Sequence, residues 1–392
     1  MRLPALLIAA TFAASLAAHV QTAHAQWQIE NSHTTASLRG IHALGAGTAW
    51  ASGTNGTVLR TTDDGATWQT CPTPPNAEKL DFRGIQAFDQ NTAIVMSSGK
   101  GDLSRLYKTT DACQTWTLLF TNPDSQGFWD AIQMWSDLPP LHLGLVIGDP
   151  VDGKFAEFET RDDGNHWSRR DGGDAGMPSA RDGENLFAAS NSSLIVTQGW
   201  GQMFVTGGSG GTRSRVLSEF TKHDPRVSWK YVGGNIPLAT GDSAGAFSIA
   251  IAPKEENTAN SPPKDKWTLL YLTKGICVVV GGDYKKPDSQ HGTAAFTIDS
   301  GLHWQRATTP PHGYRSAVAY YPTTKSWITV GPNGTDISTD DGRNWRALTP
   351  TPQDEKDADK SWNALSLPFV VGPNGRIGKL RPNALPPASP KP

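Results

Sequence analysis

The sequence predicts an all-β fold built from one repeated four-stranded unit, and three observations predict it. The first is a boxed stretch, TTDDGATW at 61–68, which returns as TTDACQTW at 109–116, TRDDGNHW at 160–167, TIDSGLHW at 297–304 and STDDGRNW at 338–345. The second is that its flanks repeat as well. LRGIHAL and then AWASGTNGTVLR precede the first copy, FRGIQAF and AIVMSSGKGDLSRLYK the second, YRSAVAYYP and WITVGPNGTDI the last. The third is composition: Gly 40, Pro 28 and Trp 14 in 392 residues combine many turns with many large aromatics, as short packed strands require.

Each unit reads as an apolar strand, a second apolar strand, a Gly/Asn turn, a third strand, the boxed turn and a short strand carrying Trp. The turns GTNG (53–56) and GPNG (331–334 and 372–375) are hairpin chemistry, because Asn and Gly tolerate positive φ. Four short antiparallel strands at a spacing of about 40–50 residues are the pattern of a β-propeller blade.

In chain order, residues 1–25 read as a cleavable signal peptide. Arg2 is the positive end, PALLIAATFAASLAA the apolar run, and Ala23-His24-Ala25 a small-x-small cleavage site. That run is shorter than the ~20 residues a spanning helix needs, so the mature chain is expected to start near Gln26 and to be periplasmic or secreted. No later segment is long and apolar enough to span a bilayer. Residues 26–380 read as one domain. The gap between Trp167 and Trp304 is too long for one blade and holds two. ENLFAASNSSLIVTQGWGQMFVTGG starts a blade that ends near Trp229, and GAFSIAIAP starts the next, which carries the polar insertion KEENTANSPPKDK, read as a mobile loop. After Trp345, NALSLPFVVGPNGRIGKL supplies only three strands. Trp27-Gln-Ile-Glu at the other end resembles the missing fourth, so the N-terminal strand is expected to close the last blade. The count is then a seven-bladed β-propeller, with a disordered tail at 381–392.

Net charge −2 with 18% charged residues is no footprint for nucleic acid, which calls for a basic patch. No G-x-G-x-x-G follows a strand pattern and no cysteine spacing resembles a zinc site, so no cofactor and no metal are expected. Export permits disulfides. The odd count of Cys71, Cys113 and Cys277 leaves at least one thiol free, and Cys71 with Cys113 is the only pair close in sequence. Whether they are bonded stays open at this level.

The box itself reads as scaffold. Asp63, Asp111, Asp162, Asp299 and Asp340 open turns in which a carboxylate accepts backbone N–H groups. Gly supplies the unusual backbone angle, and Trp68, Trp116, Trp167, Trp304 and Trp345 each bury a large apolar wedge. Five equivalent copies cannot share one active site. The second acid, Asp64 in the first copy, becomes Ala112 or Ser300 elsewhere and reads as a solvated turn residue.

Function is expected where the innermost strands of the blades begin, at the rim of a central channel. Aligning those strands by apolar pattern places Arg39, Arg83, Asp130, Glu184, about Ala246, Arg315 and Asn363 at the rim, with Phe82, Trp129 and Tyr314 preceding three of them. Asp149 and Asp283 sit at turns after second strands. The set is either a satisfied polar plug, each Arg paired with an acid, or an anion-recognising funnel, since guanidinium groups bind carboxylates bidentately.

The repeated unit RGI–AW–GxxGxVLRTTDDGxTW, with VVGGDY, YRSAVAYYP and GPNG, resembles the photosystem II stability/assembly factor family of BNR, or Asp-box, propellers across 26–380. The resemblance implies a seven-bladed, exported, monomeric protein without catalytic residues. It binds a membrane-protein precursor through an arginine-bearing face, here Arg39, Arg83 and Arg315. The boxes also resemble those of sialidases and other Asp-box glycosidases. These would use three arginines, Asp130, Glu184 and Tyr314 to hold an acidic sugar. The Phe/Tyr-Arg-Ile-Pro motif of that family is missing: Phe82-Arg83-Gly84-Ile85 recurs as Leu38-Arg39-Gly40-Ile41 and belongs to the repeat. The reading is therefore a protein-binding propeller, with an acidic-glycan hydrolase as its alternative.

Overall fold

The computed structural model of the chain describes residues 26–138, 141–171, 176–196, 201–220, 228–252, 275–352, 354–382 and 384–385. Residues 1–25, expected from the sequence to be a signal peptide, the polar insertion 254–266 and the tail end 386–392 lie outside the described residues.

Seven antiparallel blades form a closed ring. Blade 1 takes its strands in chain order, Leu38–Gly45, Thr48–Gly53, Val58–Thr61 and Gln69–Thr70. Blade 2 comprises Phe82–Ala87, Ala93–Ser97, Arg105–Thr109 and Thr117–Thr121. Blade 3 comprises Trp129–Leu138, Leu141–Val151, Lys154–Thr160 and Ser168–Arg169. The long stretch up to Trp304 does hold two blades. Blade 4 is Leu194–Val196, Gln202–Val205, Ser214–Phe220 and Ser228–Val232, and blade 5 is Gly241–Ala252, Ile276–Asp283, Ala294–Thr297 and Gln305–Arg306. Blade 6 is Ala317–Tyr321, Ser326–Gly331, Gly334–Ser338 and Arg346–Ala347. Blade 7 takes Ala364–Ser366, Phe369–Val371 and Ile377–Leu380 from the C-terminal end and Trp27–Glu30 from the N-terminal end. Trp27 pairs with Leu380 and Ile29 with Gly378, so the two ends of the chain share one sheet and neither leaves an open edge in the ring.

The first strands of successive blades touch from blade 1 round to blade 7 and back, which makes them the wall of the central channel. The core lies between blades. Seven apolar clusters sit one at each junction, from blades 1 and 2 round to 7 and 1. Each box tryptophan enters the cluster its blade shares with the preceding one: Trp68 between 7 and 1, Trp116 between 1 and 2, Trp167 between 2 and 3, Trp304 between 4 and 5, Trp345 between 5 and 6. Trp27 does the same between 6 and 7, so the N-terminal strand replaces the box-bearing segment of the last blade. The tail stays on the fold past Leu380. Leu385 is buried in the 6–7 cluster, and Arg381 N–H donates to Gln26 O, so the expected disorder does not begin at 381.

The boxed turn has one geometry in all five copies. In the first, the Thr61 hydroxyl donates to Asp63 Oδ1 at 2.8 Å and accepts Gly65 N–H at 3.0 Å. Asp63 Oδ1 also accepts Thr67 N–H at 2.9 Å, and the same carboxylate contact recurs at Asp111, Asp162, Asp299 and Asp340. Hydrogen bonds from Thr67, through side chain and backbone, with that from Thr61, hold the Asp63 carboxyl at about 2. The residue after each Asp has φ between 60° and 62°, and the box glycines follow at 78° to 89°. Cys113 occupies the glycine position of the second copy at φ 63° and is bonded to Cys71 of blade 1, with their Cα atoms 5.6 Å apart. The disulfide thus ties blade 1 to blade 2. Cys277 is free and buried.

Candidate binding site at the mouth of the ring

The entries to the inner strands of blades 1, 2, 3 and 5 are shaped by a bulge. In blade 1 the ladder passes from Leu38 to Gly40, leaving Arg39 unpaired and free to turn into the channel mouth. Arg83, Asp130 and Phe247 occupy the same bulge in blades 2, 3 and 5. Blade 7 presents Asn363, whose amide donates to Leu38 O at 2.8 Å and fastens the ring closure.

This frame moves three of the expected rim residues. In blade 6, Ala317 pairs with Val330, one position earlier than the apolar pattern suggests, so Ser316 takes the mouth position and Arg315 the buried position of Leu38. A one-residue slip in a strand changes the face of every side chain. Arg315 is 0% exposed, its guanidinium paired with Asp336 of the same blade and donating to Asn333 Oδ1 at 2.6 Å. It is a core ion pair and does not reach the opening. In blade 5 the mouth residue is Phe247, while Ala246 is a buried ladder partner of Gly281. Glu184 is buried in the short strand Glu184–Asn185 beside Gly207–Gly208, which joins blades 4 and 5. Burial opposes its ionisation, but Arg213, the Arg181 N–H, Thr206 and Arg215 hold its pKa below the ordinary value.

What fills the channel was not legible in the repeat. The irregular run 186–193 crosses it before blade 4 begins. Ala188 O accepts from Arg83 at 2.9 Å and Asn191 Oδ1 accepts Ile132 N–H at 2.8 Å. Ser192 Oγ donates to Ser248 Oγ at 2.7 Å, and Ser190 Oγ to Ser316 O at 2.7 Å. These bonds reach blades 2, 3, 5 and 6, so the run is a polar plug. Asp130 lies buried beneath it. Burial and then the neighbouring Asp149 push the Asp130 carboxyl well up, with Arg83 opposing, and burial lifts Asp149 to about 6.

Two of the expected residues do converge. Arg83 Nε donates to Asp81 Oδ2 at 2.8 Å, while Arg39 Nε stands 3.9 Å from Asp81 Oδ1, too far for a hydrogen bond. Two guanidinium groups therefore share one carboxylate, with side chains 31% and 27% exposed. No hydrogen bond joins the Arg39 guanidinium to a described residue. Beside them stand aromatics from two blades and the plug. Phe187 and Phe247 stack at 4.1 Å, Tyr314 meets Phe247 edge-on at 4.8 Å, and Tyr284 lies 6.1 Å from Phe247. Arg83 donates to Ala188 O, next to Phe187, and Phe247 holds the same bulge position as Arg39 and Arg83, so the arginines and the aromatic group share one mouth. Arg83 and Arg315 are each paired with an acid, Asp81 and Asp336, while Arg39 stands 3.9 Å from the carboxylate that Arg83 holds.

No protein-family model matches the chain. No curated protein matches it. Among solved structures, YCF48 bound to D1 peptide is similar to it, with 16% identity over 91% of this chain and 97% of that one at a TM-score of 0.55. YCF48 from Cyanidioschyzon merolae is similar at 15% identity over 91% and 99% with a TM-score of 0.53. A GH74 xyloglucanase from Xanthomonas campestris overlaps with 15% identity over 87% of this chain and 62% of that one at a TM-score of 0.34. The first two likenesses span nearly the whole of both chains, and this protein has the β-propeller fold of YCF48.

Proposed function

We propose that this protein is an exported, monomeric, protein-binding propeller that acts as an assembly or stability factor on membrane-protein partners, in the manner of photosystem II assembly factors. The observation that carries the reading is the Arg39–Arg83 pair. Two guanidinium groups share the single carboxylate of Asp81, and the Arg39 guanidinium makes no hydrogen bond to a described residue. Such a pair is poised for a partner's carboxylate, which it would bind with bidentate geometry. The YCF48 structure with a D1 peptide supports it, because the same fold there accepts a peptide. The segment 1–25 supports export.

The test is capture of detergent-solubilised membrane proteins by the mature chain, beside a double variant Arg39→Ala/Arg83→Ala, with the captured species identified by mass spectrometry. The expected result is a defined membrane-protein partner held by the wild type and lost by the variant. Equal capture by both proteins overturns the assignment to this mouth. Turnover of acidic glycosides that disappears in the variant would make the protein a hydrolase instead. That alternative lacks the third arginine it needs at the opening, because Arg315 is sealed against Asp336.

A further inference from the structure

The aromatic group beside the arginines has no counterpart in the repeat. Phe187 comes from the plug, Phe247 and Tyr284 from blade 5, and Tyr314 from the entry to blade 6. Four rings from separate segments do not meet at a solvent boundary through strand periodicity alone. Phe247 and Tyr314 are buried and rigid, while Phe187 is half-buried and Tyr284 is 46% exposed. Phe187 is itself fixed from below: a Cβ at Gly207 would lie 2.5 Å from its ring and one at Gly245 2.9 Å, so two glycines make the space it occupies. The result is a firm shelf whose upper surface, Tyr284 and the Phe187 edge, is open to solvent.

We infer that the mouth reads a two-point signature, a side-chain carboxylate on Arg39 and Arg83 together with an aromatic side chain on the Tyr284/Phe187 shelf. The ligand class is thus a peptide segment with an acidic residue next to an aromatic one. This rests on the protein-binding reading above and names what that site selects. Charge complementarity commits the occupant. The mouth offers two cations against Asp81; Asp130 and Asp149 are drawn toward their neutral forms by burial, and Asp283, next to Tyr284, is held by Ser243 and Lys286. An apolar ligand alone would leave the Arg39 donors unused, and an anion alone would leave the aromatic shelf wet. Rigid aromatic surface beside a charged anchor is the composition of interface hot spots.

The test uses short blocked peptides with no terminal charge, measured by calorimetry on the mature chain. Gly-Phe-Glu-Gly is compared with Gly-Ala-Glu-Gly and Gly-Phe-Gln-Gly, and the series is repeated on Tyr284→Ala and on Leu118→Ala, an exposed site on the outer strand of blade 2. The expected result is that Gly-Phe-Glu-Gly binds about tenfold more tightly than either single replacement, as one aromatic contact or one charge-assisted pair supplies. Tyr284→Ala should remove the advantage of Phe over Ala and keep that of Glu over Gln, while Leu118→Ala changes neither. Dependence on Glu without preference for Phe overturns the two-point inference and leaves the arginine reading standing. Dependence on Phe without Glu overturns both, as does the absence of any binding.

Discussion

Lys379 in the last blade donates its Nζ–H to the carbonyl of Asp64 in the first, at 2.8 Å. The contact recurs round the ring. Arg60 of blade 1 donates to Ala112 O in the box of blade 2 at 3.2 Å, and Lys108 of blade 2 to Asp163 O in the box of blade 3 at 2.8 Å. In each case a cation on the third strand of one blade holds the left-handed residue of the next blade's box, at φ 62°, 60° and 60°. The second box residue, expected to be merely solvated, is a latch point. The backbone carbonyl holds at these three joints, and at the first the Asp64 carboxylate also pairs with Lys379.

Lys379→Ala should therefore loosen the joint that closes the ring. A charge-assisted bond at this half-exposed position is worth about 1 kcal/mol. Urea denaturation should show that loss as a lower midpoint with an unchanged slope. Lys108→Ala, which breaks the same latch between blades 2 and 3, should cost a similar amount.

The same joint should respond to pH. Glu30 of the N-terminal strand accepts Trp68 Nε1–H at 2.9 Å, unlike Trp167, Trp304 and Trp345, which donate to the carbonyl of their own box glycine. Burial raises the Glu30 carboxyl to about 7, against opposing contributions from Trp68 and Lys379, with Asp64 and Asp63 adding to the rise. Because the folded value lies above the ordinary 4.5, the stabilisation is complete below about 4.5 and is lost as pH rises through about 7. Glu30→Gln should flatten that part of the stability profile, on the order of 1–2 kcal/mol after solvent screening. Thermal unfolding between pH 4 and 8, compared with wild type, checks it.

Reduction of Cys71–Cys113 should destabilise the chain by about 3–4 kcal/mol, from the loop of 42 residues that the bond closes. The replacement chosen at 113 matters. Cys113 sits at φ 63°, where the other boxes have glycine. Cys71→Ala/Cys113→Gly should recover about 1 kcal/mol relative to Cys71→Ala/Cys113→Ala, because glycine adopts that angle without strain. Equal stabilities of the two double variants would refute this account of position 113.

The arginines should separate by role. Arg315→Met leaves the buried Asp336 with only His312 beside it, a loss of about 3 kcal/mol seen in equilibrium unfolding. Arg39→Ala and Arg83→Ala, on partly exposed side chains, should stay within about 1 kcal/mol of wild type and act on peptide binding instead.

The sequence by itself determined the architecture. Five boxes, their flanking strands and the spare Trp27 strand specify seven blades and their closure. Those signals are local: a turn residue needs a given φ, and a strand alternates every two residues. Arg39, Arg83, Asp130 and Asn363 stand at inner-strand entries, Asp130 buried among them. Only the tertiary structure decided what the mouth presents. A one-residue difference in register buried Arg315, an irregular run with no repeat signature filled the channel, and four rings from separate segments met where that run lies against blades 5 and 6. Alternation specifies a face only once the pairing partner is known, and in a closed ring that partner is settled by contacts between blades.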